Sequence, residues 1–122
     1  MKGRVLLNLF LTLSIIVLAL NCSKKLTDKE LFDLAQIEGG KGNYEKAVET
    51  FEKLLKLYPD SENAPVALFM IGFTYANELG NKDKARIAYQ EFIEKYPNHE
   101  LKPSVDFELA NLGKSPEEIL PK

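Results

Sequence analysis

Gly42-Asn43-Tyr44-Glu45-Lys46-Ala47 returns 38 positions later as Gly80-Asn81-Lys82-Asp83-Lys84-Ala85. The same register maps Phe51 to Tyr89, Leu54 to Phe92, Leu55 to Ile93, Tyr58-Pro59 to Tyr96-Pro97 and Phe69 to Phe107. Nine identities fall within the 34 positions from Gly42 to Tyr75, more than chance places at one register. A fixed internal period of this length constrains the fold more than any other feature of the chain, because it means stacked copies of one supersecondary unit.

The spacing inside each unit predicts helix. Ala47, Phe51, Leu54, Leu55 and Tyr58 form one apolar stripe at a 3.6-residue period, and Ala85, Tyr89, Phe92, Ile93 and Tyr96 form the same stripe in the second unit. Each stripe stops at Tyr-Pro, where proline restricts the residue before it and cannot continue the helix. Thr27-Asp28-Lys29-Glu30 reads as a capping box, and Asn43 and Asn81 as N-caps of the second helix of each unit. Gly39-Gly40 and Gly80 read as the stops of the preceding helices. A third first-helix is expected from about Glu100 to Leu112, ended by Gly113, with Ser115-Pro116-Glu117-Glu118 opening a short capping turn.

Helix, glycine-containing turn, helix and proline is the layout of the tetratricopeptide repeat, and these residues resemble that family. Its pattern W-x₂-L-G-x₂-Y…A-x₃-F…P is filled by Leu68-x₂-Ile71-Gly72-x₂-Tyr75 and Ala85-x₃-Tyr89…Pro97, with Leu68 in the tryptophan place. The first unit gives Leu31-x₂-Leu34-Ala35-x₂-Glu38 and Ala47-x₃-Phe51…Pro59, with Glu38 in place of the tyrosine. The resemblance implies an all-α helix-turn-helix solenoid over residues 27–120: repeat one at 27–59, repeat two at 60–97, and capping helices at 98–120. Small Ala35, Gly72, Ala47 and Ala85 are the places where helices approach closely. The string Tyr58-Pro59-Asp60-Ser61-Glu62-Asn63-Ala64-Pro65-Val66-Ala67-Leu68, followed by Ile71-Gly72, is similar to the periplasmic tetratricopeptide group of bacterial envelope biogenesis, BamD-like lipoproteins and YbgF-like coordinators among them.

Residues 1–21 read as an address. They hold Lys2 and Arg4, no acidic residue, and an apolar stretch from Val5 to Leu20, which is the pattern of a secretory signal. Sixteen residues are somewhat short for a retained spanning anchor, which needs about 20. Cys22, the one cysteine, comes directly after. Leu18-Ala19-Leu20-Asn21-Cys22 resembles a bacterial lipoprotein signal, with Asn21 where glycine or alanine is usual. The resemblance implies cleavage before Cys22, covalent lipid on Cys22, and a short tether at 22–26. Ser23 after the cysteine resembles lipoproteins of the outer membrane that face the periplasm.

Without residues 1–21 the chain carries 14 basic and 18 acidic side chains, a net charge of −4. With no basic run, nucleic acid is not an expected partner. One cysteine and one histidine exclude an intramolecular disulfide and a His/Cys zinc site. Gly39-Gly40-Lys41-Gly42 does not make a phosphate loop, since Ala35 stands at the first glycine position and Gly42 at the Ser/Thr position. His99 sits in a turn, where capping explains it, and the carboxylates alternate with lysines on helix faces as solvated neighbours. The chain therefore reads as a non-enzyme without metal or cofactor.

Binding is the use left for such a scaffold. The family's register places Phe32, Gln36, Phe69, Phe73, Asn77, Phe107 and Asn111 toward the concave face lined by the first helices. Aromatic anchors with interleaved amides suit an extended segment or helix of a protein partner in the envelope. Phe69 and Phe107 also fit as packing between neighbouring first helices, which leaves Phe73 as the better contact. Two and a half units are few for a repeat array, so docking onto a larger complex or self-association is expected. Homo-oligomerisation of a signal-anchored subunit is the alternative function, and an accessory role to a cell-wall or secretion enzyme is another.

Overall fold

The computed structural model describes residues 2–6 and 24–120. Most of the address segment, Cys22 and Ser23 lie outside the described residues. Six helices succeed one another from residue 28 to 119: α1 Asp28–Gly40, α2 Tyr44–Leu57, α3 Ala64–Asn77, α4 Lys82–Lys95, α5 Lys102–Asn111 and α6 Pro116–Ile119. Each of α1 to α5 packs on its chain neighbours, giving two helix pairs, a third first-helix and a short cap. No strand occurs among the described residues, and the architecture is an all-α solenoid.

Local chemistry sets the boundaries. At α1 the Thr27 hydroxyl accepts from the Glu30 N–H at 3.2 Å while Glu30 Oε2 accepts from the Thr27 N–H at 2.8 Å, the reciprocal box read from the sequence. Tyr58 and Tyr96 end α2 and α4, each passing its N–H to the carbonyl four residues back before proline intervenes. His99 caps the turn after α4: its Nδ1 accepts from the Leu101 N–H at 3.1 Å, and its ring meets Phe92 edge-on at 5.7 Å. α6 opens with the Ser115 N–H donating to Glu118 Oε2 at 2.6 Å.

Three expectations are corrected. Gly39 and Gly40 do not stop α1; they form its last turn, and Gly42 at φ +83° is the residue that turns the chain. Asn43 holds the N-cap position of α2 without capping it, because its amide donates to the buried Glu38 at 2.7 Å; Asn81 does cap α4, accepting from the Lys84 N–H at 3.0 Å. The third first-helix spans Lys102–Asn111, two residues later at its start and one earlier at its end than expected.

The core runs as a continuous seam through the helix pairs. Leu31 and Ala35 of α1 meet Val48, Phe51 and Leu54 of α2; Ala67, Leu68 and Ile71 of α3 lie between these and Ala88, Tyr89 and Phe92 of α4; Val105 of α5 closes it. α3 carries no charged residue, as expected of a helix covered on both sides. Its closest approach is at Gly72, where a Cβ would stand 2.5 Å from Tyr89 Cε1.

Candidate functional site

The first helices expose one side of the solenoid, and two clefts open there. The first, of about 320 Å³, lies among α1, α2 and α3. Gln36 and Phe73 line it together with Tyr44, Met70 and Glu78 over a floor of Ala35, Ala47 and Phe51. The Glu78 carboxylate, by hydrogen bonding first and charge second, pushes the Tyr44 phenol above its ordinary value of 10.0. An apolar lining with a few polar groups is the usual build of a ligand-binding cleft.

The second cleft, of about 290 Å³, lies where α3, α5 and the start of α4 meet, and Asn77, Phe107 and Asn111 line it with Lys82 and Lys114. The two asparagines are held alike. Asn77 Nδ2 donates to the Phe73 carbonyl at 3.1 Å and Asn111 Nδ2 to the Phe107 carbonyl at 2.9 Å, each one helical turn back. This fixes both side chains and turns their oxygens into acceptors; Lys114 Nζ already donates to that of Asn111 at 3.2 Å. Phe73 in the first cleft and Asn77 in the second are one turn apart on α3, so the two openings form one interrupted groove.

The seven expected groove residues therefore divide. Gln36, Phe73, Asn77, Phe107 and Asn111 line clefts. Phe32 packs edge-on to Phe51 at 5.6 Å, and the half-buried Phe69 lies between Phe73 at 6.1 Å and Tyr89 at 6.2 Å, where it supports the Phe73 ring. Tyr44, Glu78, Lys82 and Lys114 join the clefts from outside the expected set. Their signal in the sequence is their position beside Gly42, Gly80 and Gly113, since a residue flanking the turn reaches the groove from outside the first-helix register.

Among the described residues no helix is long and apolar enough to cross a membrane, and no group of three His, Cys, Asp or Glu side chains converges as a metal site would require. Residues 28–61 match a family model described as Tetratricopeptide repeat, and residues 66–99 match a second with the same description. The matched segments begin 38 residues apart, the register of the internal repeat, with residues 62–65 between them. No curated protein matches the chain.

Proposed function

The chain belongs to the tetratricopeptide-repeat family, and from that membership we propose that it is a non-enzymatic scaffold whose concave groove holds a protein partner in the bacterial cell envelope. Lipid on Cys22 anchors it, at the outer membrane and facing the periplasm, with outer-membrane assembly as its setting. The observation that carries the binding reading is the groove itself: a supported aromatic, Phe73, one turn from an amide, Asn77, which one N–H to the Phe73 carbonyl holds in place so that its carbonyl and second N–H can meet a partner backbone. The anchor reading stands on the basic, apolar and cysteine order of residues 2–22. Two or more acyl chains make such anchoring stable.

Phe73→Ala and Asn77→Ala test the groove together. Each is expected to abolish crosslinking to a defined envelope protein while the helical circular dichroism stays unchanged. Retained crosslinks with an intact fold contradict the reading.

A second reading, self-association, is favoured by large apolar side chains left exposed on and after α5. Phe107 is 55% exposed on α5, and Leu120 is 67% exposed just after α6. Sedimentation that shows a dimer dispersed by Phe107→Asp supports it, and a monomer at all concentrations contradicts it.

A further inference from the structure

The chain enters its first helix already fastened down. The Tyr58 hydroxyl donates to the Leu26 carbonyl at 2.7 Å, across 32 positions of sequence, and the Lys25 ammonium lies 5.6 Å over the Tyr58 ring. Leu26 packs against the core. Lys24 Nζ reaches Glu30 at 3.1 Å, and the Ser61 hydroxyl donates to Asp28 at 2.6 Å. From Lys24 onward the segment leading into α1 is therefore part of the body of the solenoid.

Covalent reach limits what lies between that body and its anchor. Cys22 precedes Lys24 by two residues, a span of at most about 7 Å when fully extended. An apolar anchor ending at Leu20 instead leaves four residues, about 14 Å. The 13 residues of α1 make a rod about 20 Å long, so either tether is shorter than the body it holds.

Resting on the membrane-anchor reading above, we infer that the end of the solenoid formed by Lys24–Thr27, Tyr58 and the turn at 59–63 is an interaction surface for the lipid headgroups, held against them by the short tether. The opposite end, at Lys41, Gly42 and Gly80, stands away from the membrane. α1 and α3 both run from the strapped end toward that far end, where Gly39, Gly40, Tyr44 and Glu78 line the first cleft. The strap thus presents the cleft outward, clear of the surface to which the chain is attached. Covalent reach rather than charge holds this arrangement, because Asp28, Asp60 and Glu62 share the strapped end with Lys24, Lys25 and Lys29.

The chain has no tryptophan and a single cysteine, which makes the test direct. The full chain, carrying either Asp60→Trp or Lys41→Trp, is coupled through Cys22 to maleimide lipid in vesicles of phosphatidylethanolamine, phosphatidylglycerol and a headgroup-nitroxide lipid. Asp60→Trp fluorescence is expected to be quenched several-fold more strongly than that of Lys41→Trp, at low and at high salt alike. A flexible Gly/Ser insertion between Ser23 and Lys24, which leaves every contact of the strap in place, is expected to remove the difference. Equal quenching without the insertion, or a difference that survives it, overturns the inference. Mass spectrometry of the native N-terminus decides the anchor separately: an unmodified Cys22 thiol contradicts the lipoprotein reading and leaves the vesicle result untouched.

Discussion

Gly72 and Tyr89 show how tightly single residues are fitted in this chain. A methyl group on Gly72 meets Tyr89 Cε1 at 2.5 Å and Cδ1 at 2.7 Å, and the ring is fully buried with nowhere to move. Gly72→Ala is accordingly expected to cost about 1–3 kcal/mol in urea denaturation. Tyr89→Phe has the opposite sign. The Tyr89 hydroxyl is buried without a hydrogen-bond partner among the described residues, so its removal is expected to be neutral or to stabilise by about 1 kcal/mol. Burial first and Glu108 second push the Tyr89 phenol well above its ordinary value of 10.0, and its absorbance is expected to stay that of the neutral phenol until the protein unfolds. The close approach at Gly72 was legible from the repeat pattern. The orphan hydroxyl was not, because phenylalanine and tyrosine fill that repeat position equally and the environment of the oxygen depends on α5.

Three carboxylates extend the residue-scale account to pH. The Asn43 hydrogen bond, with help from Lys46, holds Glu38 below its ordinary 4.5; the Thr27 N–H does the same for Glu30, and the Ser61 hydroxyl holds Asp28 below 3.8. Groups whose pKa falls on folding stabilise the native state above their unfolded values and lose that contribution as pH drops through the folded ones. The urea midpoint is therefore expected to be level above about pH 5 and to decline below it. Glu38→Gln is expected to flatten part of that decline, and an unchanged acid limb in this variant contradicts the assignment.

At the scale of elements, Gly39, Gly40 and Gly42 show where punctuation in a sequence is ambiguous. A glycine pair reads as a helix stop, yet α1 continues through it because Glu38, anchored to Asn43, draws the next residues into one more turn; the Asn43 N–H closes on the Glu38 carbonyl at 2.9 Å. Gly40 is helical and exposed, with open space where its Cβ would stand, whereas Gly42 sits at φ +83°. Gly40→Ala is expected to raise stability by about 0.5–1 kcal/mol. Gly42→Ala is expected to lower it by about 1–2 kcal/mol. Thermal denaturation of the pair distinguishes a helix that ends at Gly40 from one that ends before Gly39. The stripes, the Tyr-Pro stops and the Thr27 box were legible because each depends on residues within one or two turns. The second helix of the first pair begins where expected, but the role of Asn43 was hidden because its partner is the tertiary environment of Glu38.

Over the whole molecule, one register position has three outcomes. Phe32, Phe69 and Phe107 are equivalent in the repeat, yet Phe32 packs on Phe51, Phe69 lies between Phe73 and Tyr89, and Phe107 is 55% exposed. Phe32 and Phe69 are covered by the second helix of their own unit, α2 and α4, whereas among the described residues the element that follows α5 is the four-residue α6. That dependence on the following element is why the sequence revealed the face on which a groove forms but not which of its aromatics remain available. The open residues gather around Phe73 and Asn77, and the scaffold reading rests on their use by a partner. The most direct measurement is site-specific photocrosslinking in the native envelope, with benzoylphenylalanine replacing the exposed Gln36 in the groove or the exposed Ile87 on the opposite side. A partner held in the groove gives a defined protein adduct from position 36 that Phe73→Ala removes, and none from position 87. Adducts of equal yield from both positions, or none from position 36, contradict it.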